Sequence, residues 1–248
     1  MEAVYVMEPG SYIRREGNAL CVIRSGQMVD RIPAENLKRM ILVGNVNLTG
    51  PVLDFLIRRR VETVFMTPTG RFRARLGIDE HRHVSLRKAQ YLKLSDSDFA
   101  AKTAAKIVWG KVTNLYRFLL LRGRKYGDDS LRAAAAGLKT AAARIEKETD
   151  MEKIRGLEGA ASRVYFKAFP YLIRNDKFTF NGRNRRPPLD PVNALLSFVY
   201  TLLTNEVLSA VKARGLDPYM GALHEIAYGR PSLACDLVEE YRPFLGDR

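Results

Sequence analysis

The chain has 248 residues, 41 of them Lys or Arg against 27 Asp or Glu, a formal charge of +14 that favours a polyanionic partner. That length suits one large domain or two modest ones, and two cysteines exclude a disulfide framework or a zinc ribbon. No run of about 18 apolar residues and no secretory leader appears, so reduced thiols and a cytoplasmic location are expected.

The basic excess is spread along the chain and not gathered in a tail, and no Lys-rich amphipathic anchor is present. Nucleic acid is therefore preferred to a membrane surface as the partner, with solubility alone the simpler account.

Residues 3–7, 11–15, 19–24 and 27–32 are short runs rich in β-branched and aromatic side chains, separated by Pro9-Gly10, Gly17-Asn18 and the hairpin candidate Ser25-Gly26. A further strand is expected at Met40 to Val43, then a helix opened by Thr49-Gly50-Pro51 and running through Arg60. Strands at VETVFMT and RFRAR follow. The first third thus reads as an N-terminal antiparallel β-sheet domain with one helix, residues 1–78. Arg58, Arg59 and Arg60, with the alternation Arg71, Arg73 and Arg75, offer a basic strip for a phosphate backbone; a solvated sheet face carries the same pattern.

The composition changes around residues 79–86, which are assigned as a linker. Asp79, Glu80, His81 and His83 are metal-like letters there, but without an apolar frame they are left out of the site. From Ser85 the periodicity is helical for nearly all of the remainder, residues 87–248. Phe99 to Arg122 repeats at three- and four-residue steps around Trp109 and closes near Gly123 and Gly127. In Ser130 to Lys147, Leu131, Leu138 and Ile145 recur seven apart, marking an amphipathic scaffold helix.

Three later stretches carry chemistry. In RGLEGAASRVYF, Glu158 sits among small residues that leave room for close approach, although tight helix packing would use the same residues. FNGRNRRPPLDPVNALLSFVYTLL places Arg183, Arg185 and Arg186 in a loop before Asp190 as N-cap and Pro191 as first helical residue, with a mostly buried helix behind. That loop is a candidate for gripping DNA phosphates, as is Lys212, or it is an exposed charged loop. In GLDPYMGALHEIAYGRPSLACDLVEEYRP, Asp217-Pro218 signals a short helix bearing His224, and Ser232 a second helix with Asp236 and Glu239 on one face. A nitrogen and carboxylates without thiolates suit Mg²⁺ or Mn²⁺. The same letters describe a solvated helix face and a hydrogen-bonded histidine.

Those three strings resemble, in order, the CRISPR-associated integrase of spacer acquisition, CRISPR-associated protein one, and the resemblance covers essentially the whole chain. It implies an α+β multidomain protein: an N-terminal β domain for dimerisation and DNA contact, then a larger all-α catalytic domain. It implies Glu158, His224 and Glu239 as ligands of Mg²⁺ or Mn²⁺, and Asp236 as an acid near the metal counted among the catalytic residues. Arg163, Arg58 and Arg59 join Arg183, Arg185, Arg186 and Lys212 as candidate DNA contacts.

The implied reaction joins prespacer 3′-hydroxyl ends to a CRISPR repeat by transesterification. The implied assembly is a homodimer bridged by CRISPR-associated protein two, with an end-trimming nuclease as a further partner. A structure-specific nuclease acting by hydrolysis and a non-catalytic DNA-binding scaffold stay open as alternatives. Family members usually continue with helical residues beyond the position of Arg242-Pro243, so the C-terminal end, which here stops at Arg248, is expected to be truncated.

Overall fold

The structure is a computed structural model that describes residues 3–76, 83–185 and 187–247. Asp79, Glu80, His81 and Arg186 lie outside the described residues. The chain divides into two units, Met1–Glu80 and His81–Arg248. Strands precede helices, as an α+β chain requires.

The first unit contains β1 (Ala3–Val6), β2 (Tyr12–Glu16), β3 (Ala19–Arg24), β4 (Gln27–Pro33), β5 (Arg39–Val43), β6 (Asn47–Leu48), α1 (Gly50–Arg58), β7 (Glu62–Met66) and β8 (Phe72–Leu76). Ser25 (φ 50°) and Gly26 (φ 79°) form the tight turn of the β3–β4 hairpin, both in the left-handed region that a primed turn requires.

The expected antiparallel pairing is present in β2–β3–β4 and in β7–β8. It does not extend to the whole domain. Among the described residues there are two four-stranded sheets, β1-β5-β7-β8 and β4-β3-β2-β6, and β1, β5 and β7 run parallel. The reason is α1, which carries the chain back between β5 and β7 so that both point the same way. β6 also pairs parallel, with β2, and its two residues carry no periodicity to announce it. One apolar cluster joins Leu20, Val22 and Ile32 of one sheet, Met40 and Leu42 of the other, and Val52, Phe55 and Leu56 of α1.

The second unit holds α2 (Val84–Ser95), α3 (Ser97–Tyr126), α4 (Asp129–Ile145), α5 (Met151–Ala168), α6 (Pro191–Ala213) and α7 (Ser232–Tyr241). A 3-10 turn at Phe169–Leu172 follows α5, and a π-helical turn at Arg242–Gly246 follows α7. Aspartate carboxylates start four of these helices: Asp96, Asp128, Asp150 and Asp190 each accept backbone N–H bonds from the first turn. α3 ends where Gly127 turns left-handed at φ 67°.

Ala104, Val108, Val112, Leu115 and Leu119 of α3 share a core with Leu131, Leu138 and Ile145 of α4 and with Ile154, Ala161 and Tyr165 of α5. This packing holds α3 and α5 side by side, which positions the site. α6 departs from the mostly buried helix that was expected. Leu195 is 63% exposed, because α6 packs on one side only, against α7 and the π-helical turn. By length and composition alone it is the one described helix apolar enough to cross a bilayer, a test that core helices also pass.

Leu138→Ala should lower the stability of the helical unit by about 2–5 kcal/mol, since the side chain is fully buried between helices. The check is a urea titration followed by helical circular dichroism; an unchanged midpoint would contradict this core assignment.

Candidate metal and nucleic-acid site

Glu158, His224 and Glu239 come from α5, from the loop before α7, and from α7, and they line one pocket of about 610 Å³. Gly156 and Gly159 leave open space on α5: a Cβ at Gly156 would meet nothing within 4 Å, and one at Gly159 only the tip of Arg163 at 3.8 Å. These two glycines therefore do not serve tight helix packing. Ser162, one turn on, donates its hydroxyl to Glu158 Oε1 at 3.0 Å.

Glu239 is the buried member, its side chain 6% exposed. Burial pushes its carboxyl up, but Lys111 and Arg242 outweigh burial and hold it below the ordinary range. Arg242 pairs with Oε1 at 2.5 Å and lies 4.7 Å over the Tyr200 ring. Lys111 Nζ, from α3, lies 2.7 Å from Oε2 and also donates to Glu158 Oε1. The Lys111 ammonium is the cation that meets Glu239 Oε2, while Arg242 meets Oε1, so each oxygen of this buried carboxylate faces a positive charge.

His224 does not ride on a helix. Residues 217–229 form an irregular loop, because its backbone donors find other acceptors. Asp236, fully buried on α7, accepts the N–H groups of Ala222 (2.6 Å) and Leu223 (3.0 Å) on one oxygen, and that of His224 (3.0 Å) on the other. Asp217 is spent on Tyr219 N–H at 2.7 Å and on the Tyr91 hydroxyl. Ser232 does not cap α7 either; Pro231 holds that position, and the serine hydroxyl donates to Glu225 O at 3.0 Å.

The loop lies so close to α7 that a Cβ on Gly221 would sit 2.6 Å from Asp236 Oδ2. Gln90 of α2 bonds the backbone of Asp217 and Met220, and Arg155 of α5 bonds Leu223 O and pairs with Glu225 at 3.0 Å.

Asp236 thus acts behind the pocket. His224 Nδ1 lies 2.7 Å from its Oδ1. A carboxylate oxygen can only accept, so Nδ1–H donates to it and the ring's lone pair lies on Nε2. The donor set of two carboxylates and an oriented imidazole suits a hard divalent cation, and the Lys111 ammonium already stands as a cation between the two carboxylates. As they stand, no three His, Cys, Asp or Glu side chains among the described residues are close enough to chelate one ion.

The pocket wall is cationic, with Arg163, Lys167, Arg183, Arg185 and Arg242. Arg163 and Arg185 are exposed. Arg183 is turned inward and half-buried; its guanidinium bonds Asn184 O, Asn193 Oδ1 (2.7 Å) and Ser197 Oγ (3.1 Å), fastening the basic loop to α6. Lys212 stands in the last turn of α6 and is not among the lining residues. Arg58 and Arg59 belong to the first unit, where Arg58 pairs with Asp54 at 3.0 Å and Arg59 lies over Phe55. Of the supposed sheet strip, Arg75 is turned in to Glu62 at 3.1 Å.

Deeper in the pocket, the Tyr165 and Tyr200 hydroxyls donate to Asp247, whose carboxyl is pushed up by burial despite them. Sequence reasoning missed these three residues, and with them the roles of Lys111, Ser162 and Arg242.

The family model for CRISPR associated protein Cas1 matches residues 4–248. The CRISPR-associated endonuclease Cas1 1 of Chlorobaculum tepidum is 39% identical over the whole of this chain and 74% of that protein. Among solved structures, a CAS1 protein from Thermotoga maritima aligns with a TM-score of 0.84 at 28% identity, over all of this chain and 77% of that one. A chain of a Cas6-RT-Cas1–Cas2 complex aligns with a TM-score of 0.80 at 26% identity, over 97% of this chain and 26% of that one.

Asp236→Ala should release the His224 loop, since each orphaned buried N–H costs about 1–3 kcal/mol. Amide exchange at Ala222, Leu223 and His224 should accelerate by at least about tenfold while α3 stays protected; equal protection in the variant would show that the loop is held otherwise.

Proposed function

This chain belongs to the Cas1 family of CRISPR-associated proteins, and we propose that it is a metal-dependent DNA integrase of CRISPR adaptation, joining prespacer 3′-hydroxyl ends to the repeat by transesterification. The observation that carries this reading is the convergence of Glu158, His224 and Glu239 on one cationic pocket. Residues remote in sequence are brought together there with the donor chemistry of a hard metal site and the surface charge of a phosphate site.

Glu158, Glu239 and the Nε2 of His224 would hold Mg²⁺ or Mn²⁺, which supplies Lewis-acid polarisation of the scissile phosphate and stabilises charge on the leaving oxygen. The remaining work falls to side chains of this chain. Asp236 fixes the His224 ring, and Ser162 fixes Glu158. Arg163, Lys167 and Arg185 neutralise the DNA backbone at the pocket rim and so align the attacking hydroxyl with the phosphorus.

One phosphorus–oxygen bond forms to the incoming 3′-oxygen as one breaks in the repeat strand, so no external energy source is needed. Hydrolysis would employ the same ligands with water as the nucleophile. The proposed assembly is a homodimer working with CRISPR-associated protein two. The likeness to a chain of the Cas6-RT-Cas1–Cas2 complex supports that partner.

The test supplies labelled duplex DNA with free 3′-hydroxyls, a supercoiled plasmid carrying a repeat, Mn²⁺ and the Cas2 partner. Joined product is expected, reduced at least about a hundredfold in His224→Ala. Cutting without joining would assign hydrolysis instead, and DNA binding without either product would leave a scaffold.

Arg185→Ala should weaken DNA binding on all sequences and lower the slope of log affinity against log salt by about 0.9. An unchanged slope would remove Arg185 from the phosphate contacts.

A further inference from the structure

We propose that Lys111 is a tethered counter-ion of the ligand set, holding Glu158 and Glu239 together until a divalent cation displaces its ammonium. This rests on the metal-site reading above and goes beyond it, to how the site is kept ready and how metal and DNA are coupled.

Lys111 lies in the middle of α3, its side chain only 10% exposed. Among the described residues its ammonium pairs with the two carboxylates that would hold the metal and with no others. Arg242, the other cation at Glu239, is anchored differently. It pairs with the far carboxylate oxygen and stacks over Tyr200, so it has a reason to stay when a metal arrives. Among the described residues Lys111 has no such stack, and its unbranched stem allows the head group to swing.

Distances separate the two states. The ammonium holds Glu239 Oε2 at 2.7 Å, whereas Mg²⁺ binds carboxylate oxygens at about 2.0–2.1 Å. A lysine therefore spaces the ligands more widely than a metal would. That wider spacing applies to Glu158 and Glu239, the two carboxylates that Lys111 touches. Glu239 Oε2 is met by the Lys111 ammonium, so displacing Lys111 frees that oxygen for a cation.

Once a divalent ion neutralises both carboxylates, the ammonium is left in a pocket that also holds Arg163, Arg183 and Arg242. An incoming phosphate supplies the anion it has lost. Metal and DNA therefore bind with positive coupling through Lys111, and by linkage each raises the other's affinity by the same factor.

The experiment compares wild-type protein, Lys111→Met and His224→Ala by Mn²⁺ titration, read by electron paramagnetic resonance, with and without duplex DNA. Lys111→Met is expected to bind Mn²⁺ at least fivefold more tightly without DNA, to melt at a lower temperature without metal, and to lose most of the gain in affinity that DNA gives the wild type. Unchanged or weaker Mn²⁺ binding by folded Lys111→Met, with wild-type binding abolished in His224→Ala, overturns this inference alone. Wild-type protein that takes up no Mn²⁺ overturns the metal reading and this one together.

A second readout needs no variant. Acetylation of Lys111 by acetic anhydride, followed by mass spectrometry, should be several-fold faster with Mn²⁺ than without. Equal rates would show that the ammonium is not displaced.

Discussion

A charge kept ionised out of water is the constraint on which the helical unit turns. Glu239 stands 6% exposed, and a carboxylate so placed stays charged only if cations meet it directly. Lys111 and Arg242 do so from α3 and from the turn after α7. Lys111 extends the same network to Glu158 on α5. Three elements are thereby pinned at one point, and the apolar packing of α3 against α4 and α5 supplies the rigid frame that keeps those charges in reach. Removing Lys111 would leave Glu239 with Arg242 alone and Glu158 without its cation, a heavier loss than the ion pairs themselves contribute.

Asp236 solves the complementary problem of an irregular loop beside a helix. Its carboxylate gathers three consecutive backbone donors and one ring nitrogen, doing for residues 222–224 what helical carbonyls would otherwise do. One buried acid therefore sets the path of the loop and the face that His224 turns to the pocket. Gly221 is the steric condition for this, since any side chain there would occupy the space of the carboxylate.

Much of this was legible from sequence. Period-two runs gave the strands, three- and four-residue steps gave the helices, and Asp190-Pro191 marked a start that the structure reproduces. Spacing singled out His224, Asp236 and Glu239 without ranking the acids, and only the family resemblance marked Glu158; the structure sets Glu158, His224 and Glu239 around one pocket and Asp236 behind His224. What escaped depended on contacts distant in sequence. Parallel pairing of β1, β5 and β7 has no local signature. The Asp217-Pro218 signal is real, yet its carboxylate caps a single turn, while the decisive acceptor stands on α7. Lys111 looks like any surface lysine on a long helix until α5 and α7 are laid against it. Arg183 looked free for DNA because nothing in its neighbourhood revealed that Asn193 and Ser197 would claim it.

The network joining Lys111 to Glu158 and Glu239 also governs when the pocket can exist. Its first member lies on α3 and its last on α7, so four further helices must be made before the final carboxylate is available. Contacts between such distant segments carry a high loop-closure cost and form late, after the local helical turns and the α3–α4 hairpin. On the ribosome, the chain passes through a period in which Lys111 and Glu158 can pair while the third partner is still unmade. A nascent chain therefore presents Arg163, Lys167, Arg183 and Arg185 before Glu158, His224 and Glu239 can line a common pocket.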